Sequence, residues 1–328
     1  MQPTVRDHAL VDGLRAGQAA VEEGLLRATK SDVPFITEAA RELTRTAGRR
    51  LRPLLVLLAA RFGDPGAPGV VPAAVVVELT HLATHYHDDV RDEAAVRRDA
   101  PRPDADWDND ANWDNTVAVL TGDFLFARAS HILADLGPRA VRIQAQAFRR
   151  QVTGQILETT GPREGHDPVE HHLDVLASRT GSLTAVSGRL GALASGADPS
   201  VADALARYGE RLGVAGHLAN EVATPTARRP TLPTLPALLL ARAADPADRE
   251  LYELLTGPAE RAGQAEAVAR LRAHPVLDLA REETARQADA ARAALSALPD
   301  CPARDALESL CETVVAPTDT GRPRRSCG

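Results

Sequence analysis

The chain has 328 residues, 44% of them hydrophobic but only 3% aromatic, and a formal net charge of −7. Its apolar residues are mostly Ala, Leu and Val, and with abundant Arg and Glu they favour helices packed on helices, so the expected fold class is all-α. An acidic balance excludes the basic face of a general nucleic-acid binder.

The three cysteines, Cys301, Cys311 and Cys327, form no CxxC pair and read as reduced thiols. The first residues carry no apolar leader core, and no uncharged run approaches the roughly 18 residues that span a bilayer. A soluble, cytoplasmic protein with no transmembrane segment is expected.

In chain order, residues 8–30 and 35–47 read as amphipathic helices separated by Ser31-Asp32-Val33-Pro34. Gly48-Arg49-Arg50-Leu51-Arg52-Pro53 then opens an apolar helix that stops near Gly63-Asp64-Pro65-Gly66. Three guanidiniums at the mouth of a buried helix are costly to place without an anion.

A helix over 70–92 begins with the apolar run Val75-Val76-Val77-Glu78-Leu79 and turns abruptly anionic at Asp88-Asp89-Val90-Arg91-Asp92. Carboxylates at i, i+1 and i+4 put Asp88 and Asp92 on one helical face with Asp89 beside them. They repel one another unless a hard cation sits among them, and an all-oxygen donor set suits Mg²⁺. Arg97 and Arg98 follow at once and supply fixed positive charge for phosphate. His81 lies seven residues before Asp88, two turns down the same face. His85 and His87 are read as structural.

Residues 104–115 repeat a six-residue acidic unit, Asp104-Ala-Asp-Trp-Asp-Asn and Asp110-Ala-Asn-Trp-Asp-Asn. As a calcium loop it fails, with Asn109 where Gly is needed and Asn115 where a bidentate Glu belongs, so a flexible acidic flap is expected. Residues 116–135 form the next helix, and a further helix carries Gln155 and Glu158. Arg179-Thr180 follows. Asn220, Glu221 and Thr224 then precede a helix-breaking Pro225. The last third alternates Ala, Leu, Arg and Glu in helices, with 310–328 expected as a flexible tail.

The stretch from His81 to Arg98 resembles the first aspartate-rich motif, DDxxD with a downstream Arg-Arg, of the trans-isoprenyl diphosphate synthases, the polyprenyl synthetase family. Other segments match in order over roughly 35–240: Gly48 to Pro53 resembles GKRxRP with Arg49 in place of Lys, Gly122-Asp123-Phe124-Leu125 resembles a pocket-lining helix, and Arg179-Thr180 resembles a Lys-Thr motif. The resemblance implies one domain over 1–328, an isoprenoid synthase-type bundle of about ten or more helices around a central cavity, its metal-facing helices opening on one end. It implies a prenyltransferase that joins isopentenyl diphosphate to an allylic prenyl diphosphate, and a homodimer.

On that resemblance Asp88, Asp89 and Asp92 hold Mg²⁺ on the allylic diphosphate, with Arg97 on the same group, and Arg179 and Thr180 complete the catalytic set. Arg49, Arg52, His81 and Arg98 hold isopentenyl diphosphate. Ala83 and Thr84, small and just before Asp88, leave the pocket open for a geranylgeranyl or longer product. The family's second aspartate-rich motif falls on Asn220, Glu221 and Thr224, and the Phe-Gln before it on Gly216-His217. Asn220 and Glu221 are therefore the remaining candidate metal ligands. That departure keeps two other readings open: a regulatory subunit that pairs with an active synthase, and a terpene cyclase on the same fold.

Overall fold

The computed structural model describes residues 7–46, 50–99, 107–225, 233–243, 245–257 and 261–316, and every regular element among them is helical. Helix α1 (His8–Ala28) starts where the Asp7 carboxylate accepts the Leu10 N–H at 2.8 Å. Helix α2 (Pro34–Thr46) opens at the expected proline. Next come α3 (Leu51–Ala59), extended by a 3-10 turn at Ala60–Phe62, and the two 30-residue helices α4 (Val70–Asp99) and α5 (Trp107–Leu136). Helices α6 (Pro138–Thr160) and α7 (Pro168–Leu176) lead into a π-helical turn at Ala177–Gly181. The chain continues through α8 (Ser182–Ala194), α9 (Pro199–Ala223), α10 (Leu235–Arg242), α11 (Pro246–Thr256), α12 (Arg261–Arg272), α13 (Val276–Ala294) and α14 (Pro302–Val315).

Three of these helices share one start signal. Asp167, Asp198 and Asp245 each precede a proline, and each carboxylate accepts the N–H two residues on at 2.8 Å. The aspartate satisfies an orphan donor, and proline at the first helical position loses nothing because its missing N–H had no partner there.

Two expectations are corrected. Helix α5 begins at Trp107, so from there on the second half of the acidic repeat is the opening of a helix and not a flap, while 104–106 lie outside the described residues. At the other end α14 runs to Val315 with Leu310, Cys311 and Val314 buried, so the chain is packed well past residue 310. The apolar spacing of Ala306, Leu307, Leu310, Cys311 and Val314 is what holds it down.

Helix α4 is the axis of the first half. Its residues from Ala73 to Ala83 are nearly all buried, beneath α1, α3, α5 and α8. The second half is built on α9, which packs along α8 and α13 and is tied to α14 by the Tyr208 hydroxyl donating to the Leu307 carbonyl at 2.8 Å. Arg128 of α5 donates from Nε to the Ala28 carbonyl at 2.9 Å, a cation set on the negative end of α1. With so few aromatics, the core closes by bringing backbones together. A Cβ on Gly191 would stand 2.4 Å from the Val56 carbonyl oxygen, and one on Gly209 would stand 2.4 Å from that of Thr184. These two glycines set the α3–α8 and α8–α9 spacings.

The helix read over 116–135 is, as Asn115–Leu136, long and apolar enough to cross a membrane by length and composition, with mean hydropathy 1.3, and 28% of that window is buried.

Replacing Gly209 by Val is expected to destabilise the fold by about 1–3 kcal/mol, because the neighbour it meets is backbone that cannot swing aside. Urea denaturation should show a lower midpoint with an unchanged slope.

Candidate active site

The acidic turn of α4 meets the rest of the protein at Asp88. Its Oδ1 accepts from Gln155 Nε2 at 2.8 Å, and its Oδ2 faces Arg179 Nη2 at 3.0 Å. Arg179 turns its other nitrogen, Nη1, to Glu158 of α6. One guanidinium thus bridges carboxylates from two helices, a geometry suited to its planar fork.

The approach that allows this is local. A Cβ on Gly154 would lie 2.8 Å from Ser178 Cβ and 3.1 Å from the Arg179 backbone nitrogen, so α6 can touch the π-helical turn only through a glycine. That contact places Gln155 beside Asp88, and the widened turn carries Arg179 and Thr180 on successive residues. Turns of this kind recur at functional sites.

A second cluster lies toward the α3 end, two turns down α4. Arg50 binds Glu22 through Nε at 2.6 Å and Nη2 at 3.2 Å, and Glu78 through Nη1 at 2.9 Å. Burial works against the Arg50 charge, but these two carboxylates outweigh it and raise its pKa. The guanidinium load at this helix mouth is therefore partly met within the fold, by an acid from α1 and one from α4. Arg52 differs. Burial lowers its pKa, Glu78 offsets this only in part, and among the described residues its buried Nε has no hydrogen-bond partner. Close by, His81 is held well below the ordinary imidazole value by burial, then by Arg52, His85 and Arg50, and is neutral. A buried donor without a partner beside a neutral imidazole can accept an anion.

A third cluster joins the first through adjacent residues. Thr180 Oγ1 lies 3.4 Å from His217 Nδ1, and His217 Nε2 lies 3.5 Å from Glu221 Oε1. His172 of α7 reaches the same carboxylate at 3.3 Å, and the Leu235 N–H donates to its Oε2 at 2.9 Å. Burial alone would raise the Glu221 pKa, but the imidazoles of His172 and His217 overcome it and hold the group far below the usual carboxylate range.

Of the residues picked from sequence, Asp88, Arg179 and Thr180 stand together, as do Arg52 and His81. Arg49 lies outside the described residues, as do the side chains of Asp89, Asp92, Arg97 and Arg98, whose backbone belongs to α4. Asn220 is exposed near the end of α9, which stops at Ala223 ahead of Pro225. Glu221 is buried, its side chain 0% exposed, with His172 and His217 against it and the Leu235 N–H on its Oε2, while its Oε1 has no hydrogen-bond partner among the described residues. His87, read as structural, contacts α5, with Nε2 at 3.2 Å from the Val119 carbonyl and its ring against Phe126.

Sequence reasoning missed the partners. Glu22 gave no signal, but Glu78, a lone acid inside Val75–Leu79, had to find a buried cation. His172 gave none.

A long helix that passes from apolar core to an acidic turn, with a bridging arginine at that turn and a buried cationic pocket farther down, is the build of the all-α isoprenoid synthases. The polyprenyl synthetase family model matches residues 33–220. Nonaprenyl diphosphate synthase of Mycobacterium tuberculosis is 38% identical, covering 94% of this chain and 95% of that protein. Heptaprenyl diphosphate synthase component 2 of Geobacillus stearothermophilus is 37% identical over 62% of each. The crystal structure of geranylgeranyl pyrophosphate synthase from Corynebacterium glutamicum, complexed with calcium and isoprenyl diphosphate, superposes with a TM-score of 0.82 at 37% identity, covering 95% of this chain and 98% of that one. The chain belongs to the polyprenyl synthetase family.

Glu221 gives this site a pH signature. Its folded pKa is depressed, so the stability it contributes is complete above the unfolded glutamate value of about 4.3 and is lost as pH falls below it. Unfolding free energies measured in urea from pH 7 to pH 3 should fall more steeply for the wild type than for Glu221→Gln.

Proposed function

We propose that the chain condenses isopentenyl diphosphate with an allylic prenyl diphosphate to give a longer all-trans polyprenyl diphosphate. The observation that carries this reading is that two separate arginines from other elements meet one helix at two places: Arg179 at Asp88, and Arg52 of α3 at His81, about 10 Å farther down α4 at 1.5 Å per residue. Two diphosphates need two such places, and a cyclase acting on one substrate needs only the first.

In this reading Asp88, Asp89 and Asp92 hold Mg²⁺. The donor set suits it, since three aspartates offer carboxylate oxygens alone and the sequence spacing sets Asp88 and Asp92 one helical turn apart. When bound, the metal neutralises charge that develops on the departing diphosphate. Arg97, Arg179 and Thr180 bind and orient that same diphosphate. Arg49, Arg52, His81 and Arg98 fix isopentenyl diphosphate, His81 as a neutral imidazole offering one N–H. The allylic C–O bond breaks with its electron pair leaving on pyrophosphate, the isopentenyl double bond attacks the allylic carbon, and the proton lost from the new chain passes to pyrophosphate. Buried Ala83 and Thr84, just below Asp88, leave length for a geranylgeranyl or longer product.

The working unit is the whole chain, 1–328, as one domain acting in the cytoplasm on water-soluble diphosphates, and its partner is a second copy of itself. Support for the pairing comes from Leu120, 61% exposed on the apolar stretch of α5, and from Val141, Phe148 and Ile156, exposed at seven- and eight-residue spacing along α6. A second reading, one subunit of a heteromeric synthase, draws on the likeness to a component 2 protein and on the withdrawal of Glu221 from the metal.

Purified protein given Mg²⁺, isopentenyl diphosphate and geranyl or farnesyl diphosphate should form elongated diphosphates unaided. Asp88→Asn should lower kcat/KM by 10²-fold or more, about 3 kcal/mol of transition-state stabilisation. An inactive wild-type chain that gains activity only with a second protein would favour the heteromer. Separately, Leu120→Asp should shift the species seen by analytical ultracentrifugation from dimer to monomer.

A further inference from the structure

The reaction proposed above gives no work to His172 of α7 or to His217 and Glu221 of α9, although their side chains meet in the interior beside the site. A buried carboxylate surrounded by two imidazoles and one amide is expensive to maintain, and its members do not all face inward. The His217 side chain is 19% exposed, whereas those of Glu221 and His172 are 0% and 4% exposed. His217 is the member that reaches the site.

The imidazole ring is rigid, so fixing one nitrogen aims the other. Nε2 is turned to Glu221 Oε1 at 3.5 Å, and Nδ1 then faces Thr180 Oγ1 at 3.4 Å. Glu221 is itself fixed by the Leu235 N–H at 2.9 Å and by His172 at 3.3 Å, so it can hold the ring but cannot follow it. A threonine hydroxyl in a helix splits between two rotamers and must be directed by a neighbour. The Thr180 carbonyl accepts from Thr184 Oγ1 at 2.9 Å, whereas the partner facing its hydroxyl, His217, comes from α9. A separation of 3.4 Å is long for a hydrogen bond and is of the kind that tightens when substrate arrives.

We propose that His217 is a positioning residue, which, braced by Glu221 and His172, directs the Thr180 hydroxyl at the allylic diphosphate. Helix α9 then serves the site through a braced imidazole and not through a metal-binding carboxylate. This rests on the assignment of Thr180 to the allylic diphosphate.

The test is a double-mutant cycle on the full-length protein, with geranyl diphosphate varied at saturating isopentenyl diphosphate and Mg²⁺. His217→Ala and Thr180→Val should each raise KM for geranyl diphosphate about tenfold and leave KM for isopentenyl diphosphate unchanged, and the double variant should be no worse than either single one. His217→Gln, whose amide can still face Thr180, should recover most of the loss, and thermal unfolding of each variant confirms that it is folded. Mn²⁺ binding followed by electron paramagnetic resonance should be unchanged in Glu221→Gln and weakened in Asp88→Asn. Losses that multiply to about a hundredfold in the double variant, or a tenfold weaker Mn²⁺ affinity in Glu221→Gln, would overturn the proposal. If the wild-type chain elongates nothing, the functional reading above fails first, and the same cycle is then decided by calorimetric binding of geranyl diphosphate.

Discussion

Arg179 holds the site together because it answers two carboxylates that no single helix could neutralise. Asp88 heads an acidic turn on α4, and Glu158 lies on the buried side of α6. Either charge alone would be costly at this depth, and the bridging guanidinium makes both tolerable. The bridge in turn dictates backbone. It requires α6 to press against the turn that bears Arg179, which only Gly154 permits, and it requires that turn to be widened so that Arg179 and Thr180 both face inward. The acidic motif is thus anchored by its counter-charge and not by its own helix.

The same rule of paired burial runs through the rest of the interior. Arg50 is balanced by Glu22 and Glu78, Glu221 by His172 and His217. Arg52 departs from it, as do the Nε atoms of Arg41 and Arg61 and Oε1 of Glu221, each buried and unpartnered among the described residues, but Arg52 alone of these stands beside the neutral His81. Charges balanced inside the fold serve its architecture, and one left partly unbalanced is available to a ligand. That contrast separates Arg50 from Arg52, two arginines that the sequence presents as equivalent.

The altered second motif changes how one helix serves the chemistry. Two of its three acidic positions are Asn220 and Thr224, and the remaining acid is turned into the core. What faces the site from α9 is an imidazole in line with Thr180. Helix α9 ends at Ala223, ahead of Pro225.

The sequence by itself determined the all-α class and the stripe of His81, Asp88 and Asp92 along one helix, because each follows from local propensity or from a period of 3.6 residues. It marked Arg179 and Thr180 by resemblance. Only the tertiary structure decided the pairings: Arg50 and not Arg52 for Glu78, Glu158 with Asp88 for Arg179, and two histidines for Glu221. Those pairs join residues up to 91 positions apart, and no local pattern encodes which distant helix face will meet another. The same reason accounts for the misread end of α14. Residues 310–316 look terminal in isolation, and the burial of Leu310, Cys311 and Val314 is what holds that helix down.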